Sequence, residues 1–228
     1  MTTHHPLDRP VWSSLTTRQA PLSLGDARAL RFAPDYGLFA AVTDTTPESL
    51  AALAALIPAD GQVALVEAAE PPAVPGTAIE SRSNIWQMVL QGLTPAGPPD
   101  FEIVPLTEAD APQMLALATL TRPGPFFSRT HQLGDFVGVK REGRLLAMAG
   151  ERMQPAGFTE VSGVCTDPDH RGRGYAGALM RVAAGRIIAR GETAFLHTYA
   201  HNTGAIGLYE SLGFAFRREL GMTVLSRA

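Results

Sequence analysis

Cysteine is almost absent: Cys165 is the only thiol among 228 residues. One cysteine cannot build an intrachain disulfide framework. It suits a reducing compartment, so a cytoplasmic location is expected. Charge of one sign is equally scarce. The formal net charge is −3 and no basic run outgrows the pair Arg217-Arg218, so nucleic acid is not an expected partner. Apolar runs are short. None can span a bilayer and the first residues carry no apolar signal core, so no membrane association is expected. Metal-ligand spacing is missing too: His197 and His201 have no Cys, Asp or Glu at matching intervals, and no metal is expected. His4-His5 is too short for a metal-binding tag and reads as a disordered lead-in. What remains is an ordinary globular composition, 45% apolar and 18% charged, long enough for one large or two small domains.

The best boundary is Leu93-Thr-Pro-Ala-Gly-Pro-Pro-Asp100, which can continue neither a helix nor a ladder. Before it, strands are expected at 37–43 and 62–67 and a helix at 48–57, where Pro47 takes the first helical position after Thr45-Thr46. A proline-rich turn at Pro71–Pro75 and an apolar segment at 85–90 come next. This β-α-β-β order makes residues 1–95 a small α/β subdomain and residues 101–228 a second unit. After the linker come a strand at 101–105 and a helix with a capping-box start at Thr107-x-x-Asp110, carrying Met114, Leu117 and Ala118. The segment 121–133 is irregular. Strands at 136–140 and 145–152 are joined by Glu142-Gly143, a hairpin signal. A further strand at 159–166 leads into a glycine-rich loop and a helix with Leu179, Val182, Ala183 and Ile187 on one face and Gly191 as its stop.

That loop is the most informative segment: Asp169-His-Arg-Gly-Arg-Gly-Tyr-Ala-Gly-Ala-Leu-Met180. A glycine-rich turn opening a helix gathers unpaired amides and the positive end of the helix dipole at one place, which is an anion site. A phosphate-loop NTPase is excluded because no Lys-Ser/Thr follows the glycines. Gly172-Arg-Gly174-Tyr-Ala-Gly177 matches the dinucleotide fingerprint letter for letter. Its context fails, because Glu192 precedes the next apolar strand instead of closing it, and too little chain remains for a doubly wound sheet.

Arg171, Gly174 and Ala176 also fit the Arg/Gln-x-x-Gly-x-Gly/Ala loop that acyl-CoA-dependent acyltransferases use for pyrophosphate. From about Phe101 onward the chain resembles the GNAT superfamily of N-acyltransferases. The resemblance rests on the strand 159–166, the loop 171–176 with its helix, the strand 194–200, and the closing Asn202-x2-Ala205-x3-Tyr209-x3-Gly213-Phe214 pattern. It implies an α+β fold with a mixed, largely antiparallel sheet splayed around the coenzyme A site and helices on both faces. The N-terminal part is similar to the partial second domain of the glycine-N-acyltransferase-like branch.

The resemblance also implies roles. Val164, Cys165 and Thr166 would meet the pantetheine arm through backbone, and Arg171, Gly172, Arg173, Gly174, Tyr175 and Ala176 would hold the diphosphate. Asn202, which can also cap its helix, and Ala205 would contact the cofactor arm. Tyr209 would protonate the departing thiolate, a task suited to a phenol that stays protonated at neutral pH. Glu160, eleven residues before Arg171, would act as general base, with Glu151 as a second candidate. Simple alternation sends Glu160, Ser162 and Val164 to one face. Cys165 is read as a small core residue and not as a nucleophile. Arg122, Arg129 and His131, beside Phe126 and Phe127, are expected to wall the acceptor pocket. The expected partners are acyl-CoA, foremost acetyl-CoA as donor, and a small amine; a homodimer stays open. The alternative is a non-catalytic acyl-CoA-binding sensor of the same fold.

Overall fold

Glu142 and Gly143 turn the expected hairpin with both residues in the left-handed region, φ 49° and 77°. That geometry matches the twist of the strands it joins. The computed structural model describes residues 5–69 and 73–228; His4 and the start of the Pro71–Pro75 turn lie outside the described residues. In chain order the regular elements are α1 (Pro10–Leu15), β1 (Ser23–Gly25), β2 (Ala29–Phe32), β3 (Ala40–Val42), α2 (Pro47–Leu56), β4 (Gln62–Glu67) and β5 (Thr77–Leu90). After them come β6 (Val104–Leu106), α3 (Ala111–Thr121), β7 (Phe136–Arg141), β8 (Arg144–Glu151) and β9 (Phe158–Thr166). The chain ends with α4 (Tyr175–Ala189), β10 (Thr193–Tyr199), α5 (Thr203–Leu212) and β11 (Phe214–Arg227). Among the described residues, no helix is long and apolar enough to cross a membrane.

The fold is α+β. An eight-stranded sheet runs in the order β4-β11-β5-β10-β9-β8-β7-β6, and a small sheet β1-β2-β3 stands beside it. Every neighbouring pair in the large sheet is antiparallel except β9 with β10. Helices cover both faces. On one side α4 and α5 bury Met180, Ala183, Ile187 and Leu212 against Met88, Val161, Leu196 and Phe214. On the other, α3 packs Met114 and Leu117 on Phe136, Met148 and Cys165, while α1 and the small sheet pack Val11, Leu15 and Phe32 with Ile85, Phe195 and Leu220. Each fully buried aliphatic side chain here contributes roughly 1.5–3 kcal/mol of transfer free energy. Thr107 and Asp110 form the expected capping box at the entry to α3, and Gly191 follows α4 at φ 77°.

The sheet is continuous across the boundary placed between residues 95 and 101. β4 and β5 come from the N-terminal side, and β5 lies between β10 and β11. The proline-rich stretch is itself tied down, since the Thr94 amide donates to the Leu212 carbonyl and Arg181 donates to the Thr94 carbonyl. Within the N-terminal part, α1, β1 and β2 are elements that composition did not announce, and β5 begins eight residues before its apolar half at Ile85–Leu90.

β9 departs from simple alternation. Met148 pairs with Cys165 but Gly150 pairs with Ser162, so β9 carries one extra residue, a β-bulge. Gly163 sits there at φ 63°, a conformation that disfavours any side chain. The bulge reverses the facing of the residues beyond it. Val164 packs with Val161 on the α4 face, and Cys165 turns to the α3 face. The expected single face of Glu160, Ser162 and Val164 is therefore corrected: Val164 leaves it.

Candidate active site

β9 and β10 pair over only three positions, Thr193 with Phe158, Ala194 with Thr159 and Phe195 with Glu160. Beyond them the strands part. β10 stays paired with β5 as far as Tyr199, so the main-chain groups of residues 161–166 on the β10 side face an open fork. An extended ligand can add itself there as a strand would.

The loop after β9 is held from below. Asp167 accepts from the Asp169 amide at 3.0 Å and pairs with Arg144 and His170. Gly172 and Gly174 then adopt φ 74° and 75°, and a β-carbon at either would meet nothing within 4 Å. Gly174 occupies the cap position of α4 with no side-chain cap. Among the described residues, the backbone N–H groups from Gly172 to Gly177 meet no acceptor. They are a row of open donors at the positive end of a helix. Arg171 and Arg173 are exposed beside them. The Tyr175 ring is committed elsewhere, edge-on to Phe101 at 4.7 Å, so this residue offers only its amide.

One groove takes in Val164, Cys165, Thr166, the loop from Arg171 through Ala176, Asn202, Ala205 and Tyr209. A second cleft runs through the fork and shares Val164, Tyr199, Asn202 and Tyr209 with the first. The two spaces meet at the Tyr209 ring, which packs edge-on to Phe214 at 6.5 Å. Burial raises the Tyr209 phenol above its usual range, and no protein group among the described residues hydrogen-bonds its hydroxyl. Asn202 stands at the cap position of α5, but its side chain makes no cap bond; the expected capping role is corrected, and the amide is free at the junction of the two spaces. Cys165 is buried, and burial pushes its thiol up to about 11 against a hydrogen bond from Thr121, which suits a core residue and not a thiolate nucleophile.

Glu160 is corrected as a base. It is 1% exposed and outside the lining of either space. Arg152 Nε donates to Oε2 at 2.8 Å and Nη2 to Oε1 at 2.7 Å, and His197 Nδ1 donates to Oε1 at 2.8 Å. Burial alone would raise its carboxyl. The Arg152 charge and the hydrogen bonds from Arg152 and His197 outweigh that and hold it far below the usual carboxylate range. The Met153 amide donates to Oε2 at 3.3 Å as well, so all four lone pairs are taken and none is left for an incoming proton. Glu151, the second candidate, is also buried and paired, with Arg190 at 2.7 Å.

His197 is the residue that sequence reading missed, having weighed it as a metal ligand and set it aside. It lines the fork cleft, and its tautomer is set by its partners. Arg217 takes the Gln87 oxygen at 2.8 Å, so the Gln87 NH2 faces His197 Nε2 at 3.1 Å. Nε2 accepts and Nδ1 carries the proton to Glu160. A signal existed: Arg152 and Glu160 are opposite charges facing across the β8–β9 connection, where the Arg152 amide donates to the Glu160 carbonyl. The expected acceptor-pocket cations are dispersed. Arg129 lies over the Tyr36 ring at 4.7 Å, His131 pairs with Glu108 at 2.7 Å, and Arg122 borders the loop groove instead of the fork cleft.

Among known proteins, the family described as FR47-like protein matches residues 136–221. The crystal structure of a GNAT-family protein from Novosphingobium aromaticivorans superposes with a TM-score of 0.91 at 46% identity, covering 99% of this chain and 100% of that one. A GCN5-related N-acetyltransferase from Kribbella flavida superposes at 0.67 with 19% identity, covering 94% of this chain and 93% of that one. A GCN5-related N-acetyltransferase-like protein from Streptococcus suis does so at 0.54 with 14% identity, covering 96% and 92%. These last two share the fold alone. A search of curated proteins gave no match.

Proposed function

Because the chain belongs to the GNAT family, to which its 46%-identical full-length relative is assigned, we propose that it is an acetyl-CoA-dependent N-acetyltransferase acting on a primary amine by direct attack. One observation carries this reading: the open amides from Gly172 to Gly177 head a groove that continues past the forked strands to an unpartnered tyrosine hydroxyl. A diphosphate fits the amides and the two exposed arginines. An extended pantetheine fits the unpaired edge of β9.

In the transfer step, the amine lone pair forms the new C–N bond at the thioester carbonyl and the C–S bond breaks. Main-chain N–H groups of β9 stabilise the oxygen that gains charge. Tyr209 gives its proton to the departing sulfur and recovers one that the nitrogen loses through water, so one proton passes from nitrogen to sulfur overall. Glu160 has no part in this proton path; it ties β9 to the end of β8 through Arg152 and to β10 through His197 where the fork begins. The N-terminal part supplies Phe39 and Val66 to the wall of the acceptor side.

The test is thiol release from acetyl-CoA with a panel of amines, paired with calorimetry of acetyl-CoA binding. The sensor reading draws on one observation, that neither Glu160 nor Glu151 is free to take a proton; it requires binding without turnover for every amine. A separate expectation concerns the loop. Arg171→Ala should weaken acetyl-CoA binding about tenfold, the worth of one charge-assisted hydrogen bond. Its melting temperature should not move, because Arg171 is exposed. Unchanged affinity would remove Arg171 from the diphosphate site.

A further inference from the structure

The acceptor side of the fork has walls of a definite kind. Phe39, Val66, Ile85, Met153 and Met222 line it, and no carboxylate borders it among the described residues. Besides the tyrosines, two titratable side chains reach it, Arg152 from just after β8 and His197 from β10; Tyr199 and Tyr209 close it at the groove end, and His201 stacks on Tyr199 at 5.3 Å outside the lining. The Arg152 charge is met in full by Glu160, while its guanidinium lies over the Phe39 ring at 4.8 Å. The His197 lone pair is taken by Gln87. Ser162 adds a hydroxyl with no protein partner.

An ammonium entering this cleft finds no anion to pair with and no free base to take its proton. Desolvating an unpaired charge is costly, so the amine must already be neutral when it enters. An alkylamine of lysine-like basicity is neutral in only about four molecules in ten thousand at pH 7. The same neutrality leaves no site for a second cation, as in a polyamine, or for the free carboxylate of an amino acid. Methionine thioethers and a phenyl ring instead favour a flat aromatic body.

Resting on the acetyltransferase reading, we infer that the acceptor is an apolar primary amine uncharged at neutral pH, an arylamine or a comparably weak base. Its nitrogen attacks without prior proton removal. Once the C–N bond has formed, the nitrogen is acidic enough to lose its proton to water, while Tyr209 protonates the sulfur that leaves.

The experiment uses the full chain with saturating acetyl-CoA and follows thiol release from pH 6 to 9 with aniline, benzylamine, spermidine and phenylalanine. Aniline should show a flat kcat/KM. Benzylamine should rise about tenfold per pH unit toward its own titration, because only its neutral form is used. Spermidine and phenylalanine should fall about 100-fold or more below aniline at pH 7, the cost of an unpaired charge in the cleft. Spermidine or phenylalanine matching aniline would overturn the inference and leave the acetyltransferase reading standing. So would a benzylamine profile that levels off well below the amine's own titration, since that reveals an enzyme group taking the proton. Acetyl-CoA binding without turnover of any amine overturns the acetyltransferase reading, and the inference falls with it.

Discussion

Replacing Tyr209 with phenylalanine is expected to lower kcat about 100- to 1000-fold, the range that a positioned general acid contributes, while acetyl-CoA affinity stays within about threefold. The argument starts from what the substitution leaves alone. The ring is half-buried between α5 and β11 and packs against Phe214, and phenylalanine keeps that packing. The hydroxyl has no protein partner to lose, so no buried group is orphaned and stability should hold. Only the proton for the sulfur disappears. Burial raises the phenol's titration, so the group stays protonated across the working range and the loss should not depend on pH between 6 and 8. Steady-state kinetics beside calorimetry separates the outcomes. Equal loss of turnover and affinity would make Tyr209 a binding residue, and unchanged turnover would remove it from the chemistry.

Local chemistry made much of this arrangement legible. The loop declared itself because open amides at a helix start require absent side chains, and Gly172 and Gly174 are where a positive φ is needed. The hairpin at Glu142-Gly143 and the capping box at Thr107 and Asp110 are local in the same sense: every partner lies within four residues. The acceptor side was not legible. Its polar core joins Arg152 after β8, Glu160 on β9, His197 on β10 and Gln87 on β5, elements far apart along the chain. Pairing of that kind depends on strand order, and strand order here inserts β5 between β10 and β11. The bulge at Gly163 is a second cause. A single extra residue reverses the facing of everything after it, and alternation in the sequence carries no mark of where it falls. β5 was half visible, since its first half is exposed on both faces and only Ile85–Leu90 shows an apolar pattern.

The same polar core yields the second large effect. Arg152→Ala is expected to destabilise the protein by roughly 3–5 kcal/mol, the cost of leaving a buried charge without its partner. In a chain of this size that lowers the melting temperature by roughly 10 °C. Glu160 would keep His197 Nδ1 and the Met153 amide but lose both guanidinium donors, and burial would then push its carboxyl up. That fixes the sign of the pH effect. In the parent protein the depressed carboxyl contributes stability that is present above the unfolded carboxylate value, about 4.3, and is lost as pH falls toward the much lower folded value. In the variant the carboxyl prefers the neutral form, so its penalty grows as pH rises. The gap between the two melting temperatures should therefore be widest near pH 7 and should narrow as pH falls to about 4.5. Adding Glu160→Gln to Arg152→Ala removes the stranded charge and should restore part of the loss at pH 7, a non-additive result expected of groups in direct contact. A gap that widens on acidification, or a double variant no better than the single one, would mean that the pair is not what secures β9 where the fork opens.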